Sequence, residues 1–216
     1  MEKLLSTELL NYINQKRSPL LEEWKKIPDI QTELISDKIF DIIDLRGKQG
    51  SIKISQGKGE ATYFNSRELP LCFIKYEDFL NSFRIHDENG KIINDWAKGI
   101  SRTDYLVYDT SENKYYFIIH ELSIGDISNK YKDGKLQLLN TVRLLCSLTE
   151  VNNVLQNDFK ERLCFLSAKG CVKNTLNGMA DSFLKIYKQL PDPIPIHNKS
   201  IENRNFKAYE TNAIKI

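Results

Sequence analysis

The sequence predicts an α/β domain with a central mixed β-sheet flanked by helices. Short runs that read as strands recur between segments of helical periodicity. Two of those runs are joined by a polar turn into a hairpin, RTDYLVYDTSENKYYFIIHELS over 102–123. Composition agrees: hydrophobic residues make up 41% of the 216 and charged ones 28%, enough to bury a core within one domain. The expectation is a single α/β domain over 1–190, with a helical front over 1–45 and a core over about 30–190. Residues 191–216 are expected to form an extended C-terminal arm.

Leu5, Leu9 and Ile13 fall on one helical stripe, with Pro19 and Pro28 as punctuation. A second helix is expected over 30–45, with Ile35, Ile39, Ile42 and Ile43 inward. SIKIS alternates as a strand, QGKGEA bends, and LPLCFIKY reads as a strand running into a short helix over 77–83. HDENGK is a turn. Beyond the hairpin come helices over about 135–149 and 151–160, the buried strand RLCFLSA and the amphipathic helix MADSFLKIYKQL. PDPIPIHNKSIENRNFKAYE is rich in proline and asparagine, and on that composition reads as the arm.

Several function classes are disfavoured. A net charge of +2 argues against a protein that coats nucleic acid by bulk charge, although local basic strips can still touch phosphate. No run approaches a membrane span, and the N-terminus lacks the pattern of a signal peptide, so cytoplasmic residence is expected. Cys72, Cys146, Cys164 and Cys171 form no CxxC pair and read as reduced thiols rather than zinc ligands. Neither GxGxxG nor GxxxxGK[ST] is present.

The chemistry concentrates at the hairpin. Asp104 opens the first strand and Glu121 closes the second. Strand side chains alternate, so Asp104, Leu106 and Tyr108 share a face, as do Tyr115, Phe117, Ile119 and Glu121. With an even loop the two sets fall on the same face and the acids meet; an odd loop or a bulge separates them. On the following helix, Leu138, Val142 and Leu145 form an inward stripe that Lys135 continues at the opening turn. His120 has the opposite parity from Glu121 and is expected in the core, away from the acids.

These residues resemble the PD-(D/E)xK nuclease superfamily, of restriction-endonuclease-like fold. Asp104, Glu121 and the downstream KLQLL helix carry the likeness, over roughly 30–190. It implies that Asp104 and Glu121 bind Mg2+ or Mn2+, with Glu33 as a supplementary acid. The family's lysine position holds Ser123, and Thr103 stands where it has proline. Lys135 is then the substitute cation, with Lys132 behind it. Lys130, Lys132, Lys135 and Gln137 would contact nucleic acid.

The resemblance therefore implies a metal-dependent phosphodiester hydrolase acting on nucleic acid. The alternative is a degenerate, non-catalytic adaptor on the same fold that binds nucleic acid or docks a protein partner through the N-terminal helix or C-terminal arm. A serine hydrolase built from Ser123, His120 and Asp104 is disfavoured, because no GxSxG elbow surrounds the serine.

Overall fold

The computed structural model describes residues 1–24, 40, 42–45, 50–57, 59–123, 130–168 and 187–216, with backbone alone at 16–24, 42–45, 123, 130, 131 and 168. The chain folds as a mixed α/β structure in three layers. The middle layer is a sheet of seven described strands: β1 (Ile42–Leu45), β4 (Leu71–Lys75), β7 (Tyr105–Asp109), β8 (Tyr116–Ser123), β9 (Glu161–Ala168), β11 (Lys207–Glu210) and β10 (Ile194–Pro195), in that spatial order. From β1 to β8 neighbours run antiparallel; β8, β9 and β11 are parallel; β10 closes the edge antiparallel. β2 (Gly50–Gln56), β3 (Gly59–Asn65) and β12 (Ala213–Lys215) form a second sheet, and β5 (Arg84–His86) pairs with β6 (Ile92–Asp95) around the turn expected from HDENGK.

Each face of the large sheet is apolar because its strands are buried on both sides, which alternation alone cannot achieve. On one face Leu106, Tyr108, Phe117, Ile119, Cys164 and Leu166 pack against helices. Those helices are α1 (Glu2–Trp24), α3 (Lys130–Ser147) and α4 (Thr149–Asp158); the short α2 (Tyr76–Asn81) follows β4. The expected stripes are the buried ones: Leu5, Leu9 and Ile13 of α1, and Leu138, Val142 and Leu145 of α3. On the other face Phe73, Val107, Ile118 and Phe165 meet Ile54, Tyr63 and Ile214 of the small sheet.

Two expectations need correction. Residues 42–45 were expected to end a helix but form β1, paired with β4 over Ile42↔Ile74 to Leu45↔Leu71. Paired β-branched isoleucines suit a strand, and an open edge on β4 settles a segment whose periodicity fits either state. The expected helix over 30–39 and that over 179–186 lie outside the described residues, as does Cys171.

The second correction concerns 191–216, which is no free arm. β11 extends the large sheet beside β9, β12 extends the small sheet beside β3, and α5 (Lys199–Glu202) lies between them. The polar residues that read as a linker are turn and edge devices: the Asn198 side chain caps α5 through the Ser200 N–H, Asn205 takes a positive φ of 60°, and Pro195 lies on an edge strand. Ile201, Phe206, Ala208, Ile214 and Ile216 are buried.

The two sheets approach closely at Gly59. A Cβ there would lie 2.8 Å from Leu122 Cβ and 2.9 Å from Leu122 O. Because backbone cannot swing aside, Gly59→Ala is expected to destabilise the protein by about 1–3 kcal/mol, read as a lower denaturation midpoint with an unchanged m-value. An unchanged midpoint would show that the sheets are not in this register.

Candidate functional site

The β7–β8 ladder decides where the acids lie. Asp109 is fully buried, and its carboxylate accepts the N–H of Ser111 and of Tyr115, both at 2.9 Å, which folds the intervening loop. Pairing then runs Tyr108↔Phe117, Leu106↔Ile119 and Tyr105↔His120 without a shift. One step further along this register stands Asp104 opposite Glu121, on the helix-covered face with Leu106 and Ile119. The even-loop condition is met, and the two acids meet as it requires.

Both side chains are only 7% exposed. Asp104 Oδ2 accepts the Leu122 N–H at 2.5 Å, whereas among the described residues Glu121 Oε2 is buried with no hydrogen-bond partner. Burial raises the Asp104 pKa; the Leu122 N–H opposes the rise, and Glu77 and Asp78 add to it. Glu121 is raised by burial, then by Asp104 and Glu77, against the Asp104 N–H. A buried carboxylate costs several kcal/mol to ionise unless compensated, and two side by side cost more. The pair therefore calls for a shared proton or a cation.

Glu77 is the residue that sequence reasoning missed. β4 pairs with β7 up to Lys75↔Tyr105, so the chain leaves β4 beside Asp104. The Asp104 carbonyl accepts the N–H of Tyr76 at 2.9 Å and of Glu77 at 3.4 Å, which seats the first turn of α2 there. Gln56 Nε2 donates to Glu77 Oε2 at 3.1 Å and to Asp78 Oδ1 at 3.2 Å, orienting both. The acids of KYED are legible as the start of a helix; their link to Asp104 is a cross-strand pairing that spacing does not encode.

The remaining expected residues fall as follows. The α3 residue against Glu121 is Gly134, where an added Cβ would lie 3.4 Å from Glu121 Cγ and 2.7 Å from Leu166 Cδ1. Lys135 therefore does not hold the inward place at the opening turn: α3 begins at Lys130, and Lys135 is half-buried one residue past Gly134. Lys132 is exposed, and Gln137 is half-buried with its carbonyl accepting Ser101 Oγ at 2.9 Å. Glu33 and the side chains of Lys130 and Ser123 lie outside the described residues. Among the described residues no group of three or more His, Cys, Asp or Glu side chains is placed to hold a metal ion. The candidate site therefore consists of two facing carboxylates, with Glu77 acting on Asp104 through charge and a side-chain hydrogen bond and on Glu121 through charge.

His120 lies on the opposite face, as its parity requires, fully buried between the sheets. Its Nδ1 is 2.7 Å from Tyr63 Oη and its Nε2 2.7 Å from Ser167 Oγ. Ser167 donates its proton to the Thr211 carbonyl, so it can only accept from His120. The imidazole is therefore neutral with the proton on Nε2, and Tyr63 donates to Nδ1. Burial lowers its pKa to about 3. With both nitrogens engaged here, His120 serves neither the acid pair nor Ser123.

The chain matches no family model, no curated protein and no solved structure. Among the described residues no helix is long and apolar enough to cross a membrane.

Opposite pH dependences follow. The acid pair has folded-state pKa values above the unfolded ones, so its stability is full below about pH 4 and is lost as pH rises through the raised values. His120 has a depressed folded-state pKa, so its contribution is full above about pH 6.5 and is lost as pH falls toward 3. In metal-free buffer, Glu121→Gln is expected to raise the melting temperature at pH 8 and to flatten the alkaline limb. His120→Gln should flatten the acid limb alone. A Glu121→Gln melting profile parallel to wild type would show that the two carboxyls are not coupled.

Proposed function

We propose that the chain is a metal-dependent phosphodiester hydrolase acting on nucleic acid, of the kind the PD-(D/E)xK nucleases represent, on a restriction-endonuclease-like fold. The supporting observation is the facing pair Asp104 and Glu121, buried in register at the end of β7 and β8 with Glu121 Oε2 unpartnered. An all-oxygen set with a buried carboxylate oxygen lacking a partner fits a hard divalent ion such as Mg2+ or Mn2+. Asp104 and Glu121 would hold it, and Glu77 adds negative charge beside them. Such an ion, when bound, polarises a phosphoryl oxygen and lowers the pKa of its water.

The chain's own residues have separate roles in this reading. The Leu122 N–H holds the Asp104 carboxylate in place, and Gly134 leaves room for Glu121 beneath α3. Lys135, half-buried one residue past Gly134 rather than at the inward place itself, is the cation proposed to offset charge on the scissile phosphate, in the role of the lysine that Ser123 replaces. Lys132 and Lys130 precede it on the same helix for phosphate contact.

A second reading, a non-catalytic adaptor on this scaffold, draws on Ser123 at the lysine position and on the lack of a third described ligand. Its two proposed docking elements are largely committed elsewhere. The apolar stripe of α1 is buried in the chain's own core, and residues 207–215 are woven into both sheets.

Calorimetry with Mg2+ or Mn2+ separates the readings. Wild type is expected to bind the ion, Asp104→Asn and Glu121→Gln to lose it, and cleavage of labelled DNA or RNA to stop in EDTA. Lys135→Ala should lower the cleavage rate about a hundredfold while leaving ion binding intact. Equal products with and without EDTA, or an isotherm unaffected by either acid variant, would leave the adaptor reading in place.

A further inference from the structure

A second feature lies next to the acid pair, on the turn that precedes Asp104 and on α3, the helix that packs over Glu121. The 99–101 turn and the second half of α3 border an open pocket of about 400 Å³, with Tyr12 of α1 contributing to its wall. Gly99 takes a φ of +83°, a left-handed conformation that brings the chain round without a side chain. Ser101 Oγ donates to the Gln137 carbonyl at 2.9 Å and fastens this turn to α3. The turn then leads directly into Asp104.

The chemistry of the cavity is one-sided. Arg143 is the sole charged residue in its described lining, which holds no carboxylate. Among the described residues neither the Arg143 guanidinium nor the Asn140 amide is engaged by a partner. Ser101 and Ser147 donate their hydroxyl protons to the Gln137 and Leu144 carbonyls, leaving both oxygens able only to accept. An exposed, planar five-donor cation beside a free amide matches the tetrahedral oxygens of a phosphate. Along α3, Gly134 and Arg143 are separated by about 14 Å at 1.5 Å per residue.

We propose that this cavity holds a backbone phosphate of a nucleic acid strand whose reacting position faces Asp104 and Glu121. The identity of the ligand rests on the hydrolase reading; the positive, donor-rich character of the cavity does not. Arg143 is the anchoring residue, Asn140 its companion donor, and the Gly99 turn the wall that shapes the space.

The test is fluorescence titration of labelled single-stranded and duplex oligonucleotides in EDTA, across a salt series, with wild type, Arg143→Ala and Arg143→Lys. Removing the guanidinium is expected to weaken binding about tenfold and to reduce the slope of log K against log salt by about one. Lysine, a point charge without the planar fork, should recover the slope and part of the affinity. Inorganic pyrophosphate is titrated alongside.

Equal oligonucleotide binding by wild type and Arg143→Ala overturns the proposal, as does a wild type that binds neither oligonucleotide. Arg143-dependent binding of pyrophosphate alone also overturns it, assigning the cavity to a small phosphate compound. Metal uptake at Asp104 and Glu121 is measured on the same proteins by calorimetry and does not involve Arg143. Its loss in wild type removes the hydrolase reading while leaving the phosphate result to be read on its own.

Discussion

Two carboxylates buried face to face are the constraint around which this molecule is organised. Water would solvate either charge at little cost, but burial withholds it. α3 lies over Glu121 at Gly134, where an added Cβ would crowd Leu166 Cδ1 at 2.7 Å and touch Glu121 Cγ at 3.4 Å. β4 and α2 bring Glu77 up beside Asp104 instead of a cation. An arrangement that raises its own electrostatic cost at three points makes sense when something positive, a proton or an ion, belongs among them.

The opposite face of the same strands shows what a settled buried polar group looks like. His120 has both ring nitrogens bonded, and Ser167 passes the chain of donors on to the Thr211 carbonyl. One residue along β8, Glu121 keeps an oxygen without a partner. The two differ by a single step of strand parity, yet one is closed as a donor–acceptor chain and the other is not. That contrast marks the acid face, rather than the histidine face, as the one with chemistry left to do.

Much of this was legible in the sequence, for identifiable reasons. The hairpin acids could be placed because β-strands alternate and the loop between Tyr108 and Phe117 is even. The stripes Leu5–Leu9–Ile13 and Leu138–Val142–Leu145 could be read because helical spacing is local. What could not be read depends on partners distant in sequence. Glu77 comes to the pair through a carbonyl 27 positions away, and Ile42–Leu45 becomes a strand because β4 presents an edge. The residues 191–216 misled through composition: prolines and asparagines that suit a linker suit turns and an edge strand equally. Lys135 was placed by continuing a stripe backwards to an assumed helix start; α3 begins five residues earlier, and Gly134 takes that position.

The parallel pairing of β12 with β3 has a consequence for how the chain assembles. Ala213 sits opposite Thr62, 151 positions apart, and Lys207 opposite Leu163. Hairpins such as β7–β8 can zip locally, but the outer layer beneath His120 cannot be completed until the last residues have been made and have crossed the molecule. Long loop closure slows such steps. A nascent chain stalled before Thr211 carries the acid pair's hairpin and the β2–β3 pair, but lacks the β12 strand that completes the layer on its reverse side.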